Sequence, residues 1–306
     1  MKSQILHRKM KKIFVNGFYF CVGIIFLLLA KIKNGILVYS PKTFSTAEVE
    51  RCIEYDINLV YDWLKHLKEY FPDYSIQNKH VLELGPGSDL GVGLYLLSKS
   101  AKKYTAVDVY DLASNVSQDF YNAFFLYLQE KKQVNTLHLE EELRKTQNKN
   151  NDRLNYVCVP DFNFTNAIGN DKVDIIFSNA AFEHFSDFRK TVQDLNKIVV
   201  SNSVLIASVD LRTHSRWIRD KDPNNIYRYS NRFYKLFNFY SSPNRLRPYQ
   251  YKEVLEQNGW KNIVIQPEMS LDNNRLAYFQ DHLNKNFNDV INQMDYLTIW
   301  IYAIKQ

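Results

Sequence analysis

The chain is poor in the residues that build small stapled or metal-held folds. Its 306 residues include three cysteines, Cys21, Cys52 and Cys158, too far apart to form a C-x-x-C pair or a Cys/His ligand cluster. That argues against a disulfide framework and a zinc site, and it fits a reducing compartment. A dinucleotide fingerprint is missing as well: Gly85 and Gly87 are followed by Gly91, one residue late for G-x-G-x-x-G. No RNA-binding module is legible, which makes nucleic acid an unlikely partner. The apolar run near the amino end has no small-x-small cleavage pattern after it, so a removable secretory leader is not expected.

What is present suffices for one core of Rossmann size with additions. Apolar residues make up 45 % of the chain, and the net charge of +6 is modest. The organising stretch is Lys79 to Asp111. His80 to Leu84 reads as a short strand that stops at Gly85-Pro86-Gly87, where residues without a Cβ allow a tight turn and close approach of a ligand. Ser88 or Asp89 can cap a helix carrying Leu90, Val92, Leu94, Leu96 and Leu97. A second strand from Tyr104 brings Asp108 to its carboxyl end, followed by Val109. In a βαβ unit of this kind a ligand lies over the first turn, and an acid at the end of the second strand accepts hydrogen bonds from ribose hydroxyls.

Further strands are expected at Leu154 to Val159, Val173 to Phe177, Ser203 to Asp210, Asn262 to Pro267 and Leu297 to Ile304. Ser45 to Tyr70 opens with a Ser-x-x-Glu capping box and continues at helical spacing, so a long helix precedes the first strand; Glu54, Tyr55 or Tyr61 would line a cleft from it. Residues 130–151 are highly charged with little apolar periodicity and read as a surface excursion with a frayed helix.

Glu83, two residues before the first glycine, marks the E/D-x-G-x-G form of the first motif of class I S-adenosylmethionine-dependent methyltransferases, which this region resembles. VDIIFSNAAFEHF, residues 173–185, looks like the D-x-x-x-S/A-x-x-x-x-E-H pattern of many small-molecule members. The resemblance covers roughly residues 79–210 and implies an α/β fold: a Rossmann-like seven-stranded sheet with helices on both faces. It implies S-adenosyl-L-methionine as cofactor, held by Glu83 (a carboxylate for its ammonium group), Gly85, Pro86, Gly87, Asp108, Val109, Asp161 (adenine amino group), Phe162 (adenine wall) and Asn179.

Two flanking regions add to this core. Residues 1–12 hold five basic side chains and no acid, and an apolar run from Ile13 to Ala30 follows before Lys31 and Lys33. The run has about the minimum length to span a bilayer. A full span with the basic end inside would put the following domain outside, away from the implied cofactor. We therefore expect residues 1–40 to form a hydrophobic helix in or on the membrane, holding a domain of residues 41–306 on the cytoplasmic face; a buried arm or dimer helix is the alternative. Leu211 to Lys252 carries ten basic residues against two acidic ones, interleaved with tyrosine and phenylalanine. We expect a substrate lid here. It would suit a small-molecule or glycolipid acceptor with sugar rings and phosphate or carboxylate groups, and it resembles methyltransferases of polysaccharide or glycolipid assembly.

Methyl transfer to a hydroxyl requires in-line alignment and removal of a proton, and demands no metal. His184, just after the central strand, is the expected base, with Glu183 to orient it; His214 and Asp210 at the end of the fifth strand are the second choice. The competing readings are a membrane-attached binding protein that kept the fold without catalysis, and an NAD-type oxidoreductase, disfavoured by the glycine spacing.

Overall fold

A computed structural model describes residues 2–36, 48–150, 152–159 and 164–306. The strands are β1 (His80–Leu84), β2 (Lys103–Asp108), β3 (Leu154–Cys158), β4 (Val173–Asn179), β5 (Val199–Asp210), β6 (Trp260–Ser270) and β7 (Tyr296–Lys305). They form one sheet in the order β3-β2-β1-β4-β5-β7-β6. The first five are parallel, while β7 runs antiparallel to both β5 and β6. The order reverses between β1 and β4, so a crevice opens at the carboxyl ends of these two strands, the place where open α/β sheets bind ligands.

The helices are α1 (Lys2–Lys31), α2 (Val49–Tyr70), α3 (Gly91–Ser98), α4 (Gln118–Lys132), α5 (Leu137–Gln147), α6 (Phe164–Ile168), α7 (Phe188–Ile198), α8 (Arg216–Arg219), α9 (Asn231–Lys235), α10 (Pro248–Gln257) and α11 (Asn273–Gln280). Side chains alternate across a strand, and the buried residues divide accordingly. Val81, Tyr104, Ala106, Ile175 and Phe177 pack against α2 to α5, whereas Leu82, Leu84, Val107, Ile176 and Leu205 pack against α7 and α10. Trp63 of α2 stacks on Phe177 with ring centroids 4.6 Å apart. Helices on both faces of a seven-stranded sheet are what the sequence predicts.

Some boundaries differ. Glu48 is the residue before α2, and Ser45, the proposed capping partner, lies outside the described residues. The charged segment after α4 is not a frayed excursion. It contains α5, whose Leu139 and Leu143 are buried, and Glu142 is buried with them beside Lys145 at 2.9 Å. Two apolar positions four residues apart are enough to seat a helix whose other faces are charged.

The basic aromatic insertion has a small core of its own, in which Ile226, Tyr227, Tyr229 and Tyr234 pack with Leu283, Phe287 and Met294 from the segment before β7. Three of its arginines are buried. Arg247 donates to the carbonyls of Asn292, Gln293 and Tyr296, and Arg245 to those of Ile226 and Tyr229. Arg228 pairs with Asp222 at 2.7 Å. Planar guanidinium groups with several donors can satisfy carbonyls in irregular backbone while stacking on rings; Arg245 lies 4.3 Å from the Tyr234 ring centroid. Three of the ten basic side chains are thus spent inside the protein, while Arg216, Lys221, Arg232, Lys235 and Lys252 stay exposed.

From Lys12 to Lys31 helix α1 lies against α11 and this insertion. Lys12 donates to Ala277 and Asp281, Asn16 accepts from Arg228 at 2.7 Å, and Asn225 and Tyr229 donate to the carbonyls of Tyr19 and Phe20. Lys31 donates to Leu236. Gly23 permits the contact, since a Cβ there would sit 2.0 Å from Asn225 Oδ1. The opposite face leaves Ile13, Phe14, Phe18, Ile25, Leu28 and Leu29 exposed. By length and composition, Met10–Asn34 is able to cross a membrane.

Candidate active site

The β1 turn is built as its glycines require. Gly85 and Gly87 have φ of +75° and +80°, conformations that L side chains rarely adopt. A Cβ on Gly85 would also come within 2.8 Å of Ala181 Cβ. Ala180, at the end of β4 and facing the same crevice, holds φ of 51°, a strained conformation of the kind that collects at functional sites. Asp108 ends β2 with its carboxylate accepting from Val109 N and Tyr110 N at 2.6 and 3.0 Å; burial raises its proton affinity and these amides oppose the rise.

Gly85, Gly87, Asp108, Val109, Ala180 and Ala181 line one cavity of about 1120 Å³. The same cavity continues past His184 and His214 to Tyr234, Lys235 and the loop 238–246 of the insertion, and Asn34, just after α1, lies on its wall. Four of the nine residues predicted to hold a cofactor, Gly85, Gly87, Asp108 and Val109, therefore share a chamber with His184 and His214; Asp210 does not line it. Pro86 and Asn179 flank it, Asn179 donating to Tyr55 of α2 at 2.6 Å. Tyr61, by contrast, is exposed and does not line the cavity. Asp161 and Phe162 lie outside the described residues.

Glu83 is placed beneath the turn, not on the cavity wall. It is buried on the α2 and α3 face of the sheet, where the Tyr104 hydroxyl donates to it. Burial pushes its carboxyl up to about 8. Two more acids stand nearby: Asp89, foreseen only as a helix cap, and Asp56, unremarked in the sequence. Asp56 of α2 is buried with one carboxylate oxygen lacking a hydrogen-bond partner, and Asp89 accepts from Gly91 N at 2.8 Å. Burial first, then the other carboxylate, raises the proton affinity of Asp56; burial likewise raises that of Asp89. Carboxyls this close share protons because they cannot all ionise without compensation. Asp56 is invisible to motif reading because only the packing of α2 on α3 brings it to the turn, against the Cβ-free face of Gly91.

At the other end of the chamber His184 and His214 meet with ring centroids 4.9 Å apart. His184 Nδ1 faces the Ser241 carbonyl at 2.6 Å and His214 Nδ1 the Arg212 carbonyl at 3.1 Å. A carbonyl only accepts, so each Nδ1 carries the proton and each Nε2 presents a lone pair. Burial lowers both imidazoles, His214 to about 4 with help from His184. Glu183 is buried between the strand ends; Oε1 accepts from Asp210 N at 3.3 Å, Oε2 has no partner, and burial pushes its carboxyl up to about 8. Asp210 turns away to Arg212 at 2.9 Å and Arg219 at 3.8 Å. Burial would raise its carboxyl, but the Arg212 guanidinium holds it below the usual range, so it stays charged and occupied. Asn244, not foreseen, fixes the turn by donating to the carbonyls of Phe182 and Phe185.

A family model described as methyltransferase domain matches residues 55–264, more than half of the chain. The chain belongs to this methyltransferase family. No curated protein matches it. Among solved structures it is similar to a putative S-adenosylmethionine-dependent methyltransferase from Listeria monocytogenes, at 18 % identity over 79 % of this chain and 97 % of that one, with a TM-score of 0.41. The plantazolicin methyltransferase BamL gives 16 % identity over 91 % and 95 %, with a TM-score of 0.45. CurJ carbon methyltransferase gives 16 % over 76 % of this chain, which spans only 49 % of that one, with a TM-score of 0.40. Likeness at this level adds no argument to the family match.

Proposed function

We propose that this methyltransferase uses S-adenosyl-L-methionine to methylate a hydroxyl of a sugar or glycolipid acceptor at the cytoplasmic face of a membrane. The observation that carries the reading is the single chamber running from the β1 glycine turn and Asp108 to two imidazole lone pairs and on into the insertion. The residues suit the donor. Gly85 and Gly87 leave backbone uncovered for close approach, and Asp108 suits ribose hydroxyls.

When bound, the donor supplies a methyl group on a sulfonium centre. The chain's part is to place the acceptor oxygen in line and to deal with its proton. His184 and His214 offer neutral Nε2 acceptors at the wall, and Asn244 with the Ser241 carbonyl keeps His184 turned inward. Asp210, held by two arginines, acts on position and not as a base. The aromatic insertion supports an acceptor with sugar rings, and the exposed apolar face of α1 beside the chamber supports an acceptor delivered from lipid. Because α1 is fastened to the domain from Lys12 to Lys31, an in-plane helix fits better than one crossing the bilayer. The family match favours methyl transfer over the dinucleotide reading. Transfer of labelled methyl from S-adenosylmethionine to extracted membrane glycolipid, abolished in Asp108→Ala, tests the proposal. A chain that binds the donor yet labels no lipid or saccharide fraction would favour the non-catalytic reading.

A further inference from the structure

We infer that Glu183, His184 and His214 form a binding site for one first-row divalent transition-metal cation at the acceptor end of the chamber. A ligand atom from each residue lies within 4.8 Å of the others. An ion about 2.1 Å from each donor needs these atoms to draw together by roughly 1 Å, within reach of side-chain rotation. Two imidazoles and a carboxylate suit zinc, cobalt, iron or manganese, while the thiolates that would favour softer ions are absent.

The surroundings resemble the outer shell of a metal site more than that of a free base. Both imidazoles donate Nδ1–H to backbone carbonyls, the arrangement that fixes a ligating tautomer and aims Nε2 at a metal. Glu183 Oε1 faces His214 Nε2 at 4.0 Å, and the carboxylate's other oxygen is buried without a partner, so the Asp210 amide donates to this buried group and a cation would add to it. The guanidinium groups alongside are engaged elsewhere: Arg212 by Asp210, and Arg219 by Asp210 and the Thr213 carbonyl. Since His184 and His214 also line the cavity, the ion's remaining positions face the chamber, where an acceptor hydroxyl can occupy one. With both Nε2 lone pairs then bound to the ion, the ion lowers the hydroxyl's pKa and its proton leaves to water in the chamber, in place of proton removal by a free imidazole.

This deepens the methyl-transfer reading and rests on it for the role of the ion, but the site itself is tested without turnover. Untagged full-length protein, stripped with chelator, is titrated with Co²⁺ and followed by visible absorption, in parallel with S-adenosylhomocysteine binding. We expect one Co²⁺ per chain with a ligand-field band, and at least a tenfold loss of affinity in Glu183→Gln and in His214→Gln while S-adenosylhomocysteine still binds. No band in the wild type, or an undiminished band in both variants, overturns the site. Should the variants fail to fold, Zn²⁺ titration of ¹⁵N-labelled wild type decides: of the seven histidines, the ring nitrogens of two must shift, and a shift of none or of other rings overturns it. Absent S-adenosylhomocysteine binding would instead sink the cofactor reading and leave the metal result standing.

Discussion

Replacing Glu83 by glutamine isolates the carboxylate beneath the cofactor turn. In the folded chain burial pushes this carboxyl from its ordinary 4.5 up to about 8. Between those values the folded state holds a proton that the unfolded state has released, so stability must fall as pH rises through the window. The displacement corresponds to roughly 4–5 kcal/mol lost between pH 4 and pH 9, on the order of 10 °C in melting temperature for a chain of this size. Glutamine keeps an oxygen for the Tyr104 hydroxyl and cannot ionise. Glu83→Gln should therefore match the wild type near pH 4 and exceed it increasingly towards pH 9. Asp56 and Asp89 titrate in both proteins; because the Glu83 carboxylate also raises the proton affinity of Asp56, its removal eases that ionisation and adds to the gain at high pH. The assay is thermal unfolding followed by circular dichroism without donor. Parallel pH profiles, or a variant less stable than the wild type at pH 9, would refute the burial argument.

Three further outcomes follow from the packing. Gly23→Leu would drive a side chain into Asn225 and Tyr229 and should cost about 1–3 kcal/mol by overpacking, read as a lower denaturant midpoint. Arg247→Leu strands the carbonyls of Asn292, Gln293 and Tyr296; at about 1 kcal/mol or more for each buried orphan, chemical denaturation should show a loss of at least about 3 kcal/mol. Phe14→Glu with Ile25→Glu places charge on the exposed face of α1 without touching its docked face, so flotation with anionic vesicles should drop severalfold while the melting temperature holds; wild-type protein left wholly in the soluble fraction would contradict membrane association.

The sheet was legible in the sequence because strands β1, β2 and β4 are short apolar runs cut by glycine, charge or a motif, and local pattern decides such elements. The glycine turn, Asp108 and the neighbours Glu183 and His184 were legible for the same reason, each motif being contiguous, but Glu183 faces His214 and the Asp210 amide, and the Ser241 carbonyl, not Glu183, holds His184. Helix α5 was not, because two leucines amid charge carry too little periodicity to outweigh composition. Asp56 and Asn244 escaped because they reach the site only through tertiary packing, and no spacing rule connects residue 56 with residue 89. The insertion misled in an instructive way. Arginine counted as surface charge, yet Arg228, Arg245 and Arg247 are interior hydrogen-bond donors, and composition does not distinguish a guanidinium facing solvent from one facing carbonyls. Helix α1 read correctly as apolar, while its polar docking stripe of Lys12, Asn16, Gly23 and Lys31 shows its purpose only against Asn225, Arg228 and Tyr229.

The most direct test of the account is calorimetric titration of the purified full-length chain with S-adenosyl-L-methionine, alongside Asp108→Ala and Gly85→Val. The account predicts saturable binding at one site per chain in the wild type, weakened at least tenfold in both variants. A wild-type chain that shows no saturable binding, or variants that bind as the wild type does, would contradict it.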